Sequence, residues 1–204
     1  MPQPKRLIVG ISGASGTVFG VRLLKALKPL AVETHLIMSQ SAEVTLAHET
    51  GDKVADVRAL ADVSYSVKDI GAATASGSFP AHGMIIAPCS IRSMSAIATG
   101  ATSNLLTRSA DVTLKERRPL VLLVRETPLH TGHLRTMLAL SEIGAVIMPP
   151  VPAFYARPET VDDIVDHTVG RALDLFDIDA GLARRWGEPR DGKPPPLRVV
   201  RRCK

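Results

Sequence analysis

Five short apolar runs recur along the chain, each separated from the next by a stretch of helical periodicity, and this alternation restricts the fold more than any other feature. The runs are LIVGI (7–11), VETHLIM (32–38), GMIIAP (83–88), LVLLV (120–124) and AVIMPP (145–150). They are rich in β-branched residues and apolar on both faces, as strands of a parallel sheet covered on both sides are. Amphipathic segments at 18–27, 41–49, 93–98, 105–115 and 133–143 lie between or beside them, and a last one spans 161–176, with Trp186 beyond it. Strand–helix alternation of this kind predicts an α/β protein with a three-layer, doubly wound parallel sheet. A chain of 204 residues is long enough for one such core. No internal repeat or linker interrupts residues 1–187, which read as a single domain.

The net charge of +5 looks like a nucleic-acid footprint until it is divided along the chain. From Arg184 onward there are eight basic residues and two acids, so the rest of the chain sums to −1. Residues 188–204, ending PPPLRVVRRCK, therefore read as a basic, proline-rich, disordered tail. With no basic stripe on the body and only 3% aromatic residues, nucleic acid is not an expected partner. The two cysteines, Cys89 and Cys203, lie far apart in a chain without a signal peptide, which points to reduced thiols and a cytoplasmic location. No apolar run reaches membrane-spanning length.

The first run breaks directly into SGASG and then into an amphipathic segment, giving a strand, a tight turn and a helix. Small residues in such a turn let its backbone approach a ligand, and the free N–H groups at the helix start face an anion. A Walker loop is excluded, because no Gly-Lys-Ser/Thr follows. The dinucleotide fingerprint is partial: Gly13 and Gly16 take its second and third glycine positions, whereas Ile11 stands at the first. Ser39 stands where that fingerprint expects an acid to bind a ribose diol, and a neutral hydroxyl suits a phosphate better. A glycine turn that only packs helix on strand is the alternative reading. Ligands of doubly wound sheets sit at the carboxyl ends of the strands. The polar residues there are Ser12, Ser15, Ser39, Ser90, Arg92, Ser93, Arg125, Glu126 and Tyr155, together with Cys89. This set is rich in hydroxyls and guanidinium groups and lacks a metal-ligand cluster. His130 and His133, three apart with no third ligand, read as a helix cap and a surface residue.

Three further motifs carry competing readings. Asp162, Asp163 and Asp166 spell DDIVD, like the magnesium-binding box of prenyl-diphosphate enzymes, but Thr160 stands at the spacing of a helix-capping box and the capping reading is preferred. Arg108 and Lys115 lie two helical turns apart on one face; they form either a solvated surface or, with Arg125 and Arg171, a second anion cradle. Arg125-Glu126 at the end of LVLLV is either a structural ion pair or a phosphate clamp beside a general acid/base.

GISGASG, PCSIRSMSAIATG, NLLTRSADVTLKERRPLVLLVRETPL, GAVIMPPVPAFY and RALD, in this order, resemble the flavin prenyltransferases of the UbiX type, including those encoded beside phenolic-acid decarboxylases. The likeness runs from about Arg6 to Trp186. It implies a flavodoxin-like Rossmann fold that binds FMN and assembles as a homododecamer. It further implies transfer of a dimethylallyl group from dimethylallyl phosphate to N5 and C6 of reduced FMN, without a metal, to supply prenylated FMN to a UbiD-type decarboxylase. By the same resemblance Gly13, Ala14, Ser15, Ser39, Ser90, Ile91, Arg92, Ser93 and Arg125 contact FMN. Arg108, Lys115, Tyr155 and Arg171 hold the prenyl phosphate, and Ser15, Glu49 and Glu126 serve proton transfer. A carboxyl desolvated among apolar residues can donate a proton to the leaving phosphate, and Glu49, after the apolar face of SAEVTLAHE, is one candidate. Gln40 and Ser103 depart from the family pattern, which has lysine and aspartate there. Two rivals are weighed: an FMN-dependent cysteine decarboxylase, whose PxMNxxMW stretch has no counterpart in PCSIRSMS, and a non-catalytic FMN carrier, which needs no second anion site.

Overall fold

A computed structural model describes residues 5–187. Six strands form one sheet: β1 (Lys5–Ile11), β2 (Val32–Met38), β3 (Val63–Ser66), β4 (Gly83–Cys89), β5 (Leu120–Val124) and β6 (Ala145–Ile147). All neighbours are parallel and the order is β3-β2-β1-β4-β5-β6, a doubly wound arrangement. The helices are α1 (Thr17–Leu27), α2 (Gln40–Glu49), α3 (Val54–Arg58), α4 (Ile91–Ala98), α5 (Leu105–Lys115), α6 (Thr131–Glu142) and α7 (Val161–Asp174). The five expected strands are present. β3 and α3 are additions: VSYS is a four-residue edge strand alternating half-buried and exposed, so it presents no apolar run, and α3 is barely over one turn. The tail expected over residues 188–204 lies outside the described residues, as does Cys203. No helix among the described residues is long and apolar enough to cross a membrane.

Alternate residues of each strand feed two cores. Leu7, Val9 and Ile11 face one side, where α1, α2 and α7 supply Leu24, Leu46 and Val169. Ile8 faces the other, where α4, α5 and α6 supply Ile97, Ala110 and Leu140. Two glycines set how closely helices approach the sheet. A Cβ on Gly20 of α1 would lie 2.4 Å from the Ala87 carbonyl oxygen, and one on Gly10 of β1 would lie 2.6 Å from the Leu106 Cδ1 of α5. The division of the helices between the two faces matters for the site: α5 lies on one side of the sheet and α7 on the other.

A buried polar group crosses the start of the sheet. The His35 Nε2 lies 3.0 Å from Glu33 Oε1 and its Nδ1 lies 3.0 Å from the Tyr65 hydroxyl, while Arg6 Nε donates to Glu33 Oε2 at 3.0 Å. Burial holds the His35 imidazole below its ordinary pKa, and the Glu33 hydrogen bond opposes this only in part. The neutral ring therefore donates from Nε2 to Glu33 and accepts at Nδ1 from Tyr65. Because the unfolded chain takes up a proton at His35 before the folded chain does, stability is fully present above the ordinary imidazole range and falls as pH drops through it. Thermal unfolding followed from about pH 7.5 to about pH 5.5 should show a falling midpoint in the parent and a shallower fall in His35→Phe. Parallel slopes for the two proteins would contradict this.

Candidate functional site

The carboxyl ends of β1 and β4 meet where the connections switch from one side of the sheet to the other, and Ser12 joins them. Its hydroxyl donates to the Pro88 carbonyl at 2.8 Å and accepts from the Ser90 backbone N–H at 2.8 Å. Ser12 is fully buried, so this pivot fixes the spacing of the glycine turn and the 88–93 segment. Just past β5 the Arg125 N–H donates to the Cys89 carbonyl at 3.1 Å, which brings Arg125 beside the same edge. The Ser39 hydroxyl caps α2, accepting from the Ala42 N–H at 3.1 Å, and the Ser90 hydroxyl caps α4, accepting from the Ser93 N–H at 3.2 Å. Two helix starts thus point their dipoles at one strand-end crevice. Arg92 and Arg125 are exposed there, and their guanidinium groups have no hydrogen bond or ion pair among the described residues. Capped helix starts, half-buried hydroxyls and two uncommitted cations form a donor set for a phosphate.

The glycine turn itself is arranged differently from expectation. Gly16 has φ +100°, a left-handed conformation that favours glycine, and precedes α1 without a side-chain cap of its own. The cap comes from Glu49 at the end of α2. Its carboxylate accepts from the Gly16 N–H at 2.9 Å, from the Thr17 N–H at 3.0 Å and from the Thr17 hydroxyl at 3.0 Å. Ser15 adds a further side-chain hydrogen bond. The anion at the start of α1 is therefore the protein's own carboxylate. Burial pushes Glu49 upward, but the hydrogen bonds from Ser15, Gly16 and Thr17 outweigh it and hold the pKa below the ordinary value. The expectation of a desolvated, protonated Glu49 fails on this geometry: the side chain is exposed at the mouth of the turn and ionised at neutral pH. Glu126 is also exposed at the end of β5, where its Oε1 accepts from the Thr127 N–H at 3.0 Å. The structural ion pair with Arg125 that the sequence allowed is absent among the described residues.

Arg108, Lys115, Tyr155 and Arg171 do not converge within one chain. Arg108 and Lys115 lie on α5, where Arg108 Nη1 donates to Asp111 Oδ2 at 2.8 Å and Lys115 pairs with Glu116. Tyr155 follows β6, and Arg171 lies on α7, where its Nη1 donates to Asp174 Oδ2 at 2.6 Å. Since α5 and α7 cover opposite faces of the sheet, the expected cradle is two half-sites. Sequence reasoning missed a neighbour of Tyr155. The Tyr155 hydroxyl lies 3.2 Å from His167 Nε2, and the Trp186 indole packs edge-on against the Tyr155 ring at a centroid distance of 5.1 Å. The available signal was the four-residue spacing of His167 and Arg171 on one helix face.

The remaining motifs resolve locally. Thr160 and Asp163 form a reciprocal capping box, so the preferred reading of DDIVD holds, and Asp166 forms a two-pronged ion pair with Arg22 of α1. His130 caps α6, its Nδ1 accepting from the Gly132 N–H at 3.0 Å. His133 is not a simple surface residue: its ring packs against His130 at a centroid distance of 3.6 Å, tilted by 31°, and its Nδ1 is buried. Cys89 is fully buried, and desolvation pushes its thiol up to about 12, which makes it unreactive.

Residues 1–173 match the flavoprotein family. The chain is 62% identical over 175 residues to the flavin prenyltransferase UbiX of Salmonella typhimurium, covering 85% of this chain and 93% of that one. The chain belongs to the UbiX family of flavin prenyltransferases. Two solved structures of UbiX-type proteins superpose on it closely. AnUbiX (PadA1), in complex with FMN and dimethylallyl pyrophosphate, gives a TM-score of 0.90 at 49% identity and covers 92% of this chain and 100% of its own. A dodecameric FMN-dependent UbiX-like decarboxylase from Escherichia coli O157:H7 gives 0.87 at 52% identity and covers 89% and 98%.

Proposed function

We propose that this flavin prenyltransferase joins a dimethylallyl group from dimethylallyl phosphate to N5 and C6 of reduced FMN. The observation that carries this reading is the ionised Glu49, tied to Ser15 at the mouth of the turn whose edge carries the phosphate-binding donor set. Capping α1 alone would serve a carrier as well; what favours an enzyme is that the same carboxylate is tied to Ser15 at the mouth of the turn, where it can take up a proton. Ser39, Ser90, Ser93, Arg92 and Arg125 have the chemistry to hold the FMN phosphate, with Gly13, Ala14, Ser15 and Ile91 lining the ring; bound there, FMN supplies the nucleophilic ring positions. Ser15 Oγ would take up the proton lost from C6 as the new bond forms there and pass its own proton to the Glu49 carboxylate, and Glu126 serves as the second acid/base. Arg108, Lys115, Tyr155 and Arg171 hold the phosphate of the donor. Cations and hydroxyls fixed around it stabilise the negative charge that grows as the allylic carbon–oxygen bond breaks.

Because the two halves of the donor site lie on opposite sides of the sheet, the site is completed by a neighbouring copy. α6 supports assembly in its own way: it buries Leu140 and leaves Leu134 and Leu138 53% and 60% exposed. The homododecamer of the Escherichia coli relative is the assembly we assign. The enzyme works in the cytoplasm and hands prenylated FMN to a UbiD-type decarboxylase. Mass spectrometry of flavin extracted after anaerobic incubation with reduced FMN and dimethylallyl phosphate should show the gain of one C5 unit. Asp162→Ala and added chelator should leave that gain intact, since DDIVD is a helix cap. An unchanged flavin mass overturns the reading, and restoration of transfer by magnesium overturns its metal-independent form.

A further inference from the structure

We propose that His167 is a positioning residue for the donor phosphate: it donates from Nε2 to the Tyr155 oxygen and thereby turns the Tyr155 hydroxyl proton outward. The proposal rests on Tyr155 holding that phosphate. His167 is 9% exposed on α7, whereas Tyr155 is 44% exposed, so the pair runs from the interior to the surface. The Nε2-to-hydroxyl distance is 3.2 Å and the rings stand at 83°, which aims one ring's edge at the other instead of stacking them. Trp186 packs against the same tyrosine ring at 82°, so the phenol is held from two sides. With the ring held, the freedom left to Tyr155 is the torsion of its O–H bond. That hydrogen has two in-plane positions on a phenol. If His167 accepts, one of them is consumed and the hydroxyl offers a phosphate only lone pairs. If His167 donates, the tyrosine oxygen is satisfied as an acceptor and its proton is free for an incoming oxygen.

A phosphate ester is rich in acceptors, so it selects the second arrangement. The surroundings of His167 permit it. The imidazole lines a cavity of about 170 Å³ with Arg157, Asp163, Asp166 and Arg184. Asp163 is occupied in the capping box, Asp166 in the ion pair with Arg22, and Arg184 donates to the Ala156 carbonyl at 3.2 Å. No hydrogen bond joins any of these groups to His167 among the described residues, so the ring is free to take the tautomer that Tyr155 requires. The chain of donation is His167 to Tyr155 to phosphate.

The test compares donor affinity, by calorimetry on the FMN-loaded enzyme, with KM, kcat and FMN affinity. His167→Phe should weaken dimethylallyl phosphate binding about three- to tenfold, as loss of one hydrogen bond in a network does, with FMN affinity unchanged. His167→Gln, whose amide N–H also donates, should bind the donor nearly as the parent does. His167→Glu, which can only accept when ionised, should bind it more weakly than His167→Phe. In a Tyr155→Phe background, His167→Phe should add nothing. The proposal is overturned if the Gln variant is as weak as Phe, if Glu binds as well as the parent, or if His167→Phe costs as much without the Tyr155 hydroxyl as with it. Should His167→Phe not fold, the Gln and Glu pair decides. If Tyr155→Phe alone leaves donor affinity intact, the assignment of Tyr155 falls first and this inference with it; a weakened Tyr155→Phe beside an unaffected set of His167 variants overturns this inference alone.

Discussion

Replacing Glu49 with glutamine should lower turnover about a hundredfold or more, the scale of a lost general base, while FMN still binds. The carboxylate is ionised because Ser15, Gly16 and Thr17 all donate to it, and an amide in its place presents hydrogens to groups that are themselves donors. The start of α1 then keeps a neutral amide oxygen in place of a charged carboxylate, so a stability loss of about 1 kcal/mol or less should accompany the loss of turnover. The pH profile separates the two effects. Parent activity should fall on the acid side only below the ordinary carboxylate range, as Glu49 takes up its proton, and this limb should vanish in Glu49→Gln. Thr17→Val removes one donor to the ionised form at a fully buried position, so it should move the same limb to higher pH. Full turnover in Glu49→Gln, or an acid limb that stays put in Thr17→Val, would remove Glu49 from proton transfer.

The parts of this site that were legible in the sequence are those that depend on chain order along a single strand or helix. LIVGI followed by SGASG specifies a strand ending in a turn, and parallel strands bring all such ends to one edge, so Ser39, Ser90 and Arg125 were predictable neighbours. The capping box at Thr160 is equally local. The capped, ionised state of Glu49 was not legible, because its partners include backbone N–H groups 32 and 33 residues away, which leave no mark on residue identity. The divided donor site has a different cause. Right-handed crossovers put α1 on one face and α4 and α5 on the other, since β1 leads to β2 and β4 leads to β5 in opposite directions across the sheet. α7 follows the last strand and returns to none, so no crossover rule assigns its face; its packing on α1, including the Asp166–Arg22 ion pair, does.

That division leads to the second large effect, a rescue by mixing. Lys115→Ala and Arg171→Ala should each lower transfer about ten- to a hundredfold, because each removes a charged contact to the donor phosphate. Neither should change FMN affinity, since neither residue lies at the edge formed by Ser39, Ser90 and Arg125. If one chain supplies Lys115 and its neighbour supplies Arg171 to each site, an oligomer assembled from equal amounts of the two variants contains sites whose contributing chains both carry the intact residue. Random assembly makes about a quarter of the sites whole, so mixed oligomers should recover roughly a quarter of parent activity from two nearly inactive proteins. The double variant, with both changes in one chain, should likewise give about a quarter of parent activity when assembled with an equal share of parent chains, because about a quarter of the sites then draw both residues from parent chains, whereas a site within one chain would give about half; its own homo-oligomer stays inactive. Co-expression with two affinity tags isolates the mixed species, and C5 transfer to FMN measures it. Activity no higher than that of either variant alone would mean that both residues serve a site within one chain, or none, and would overturn the divided donor site.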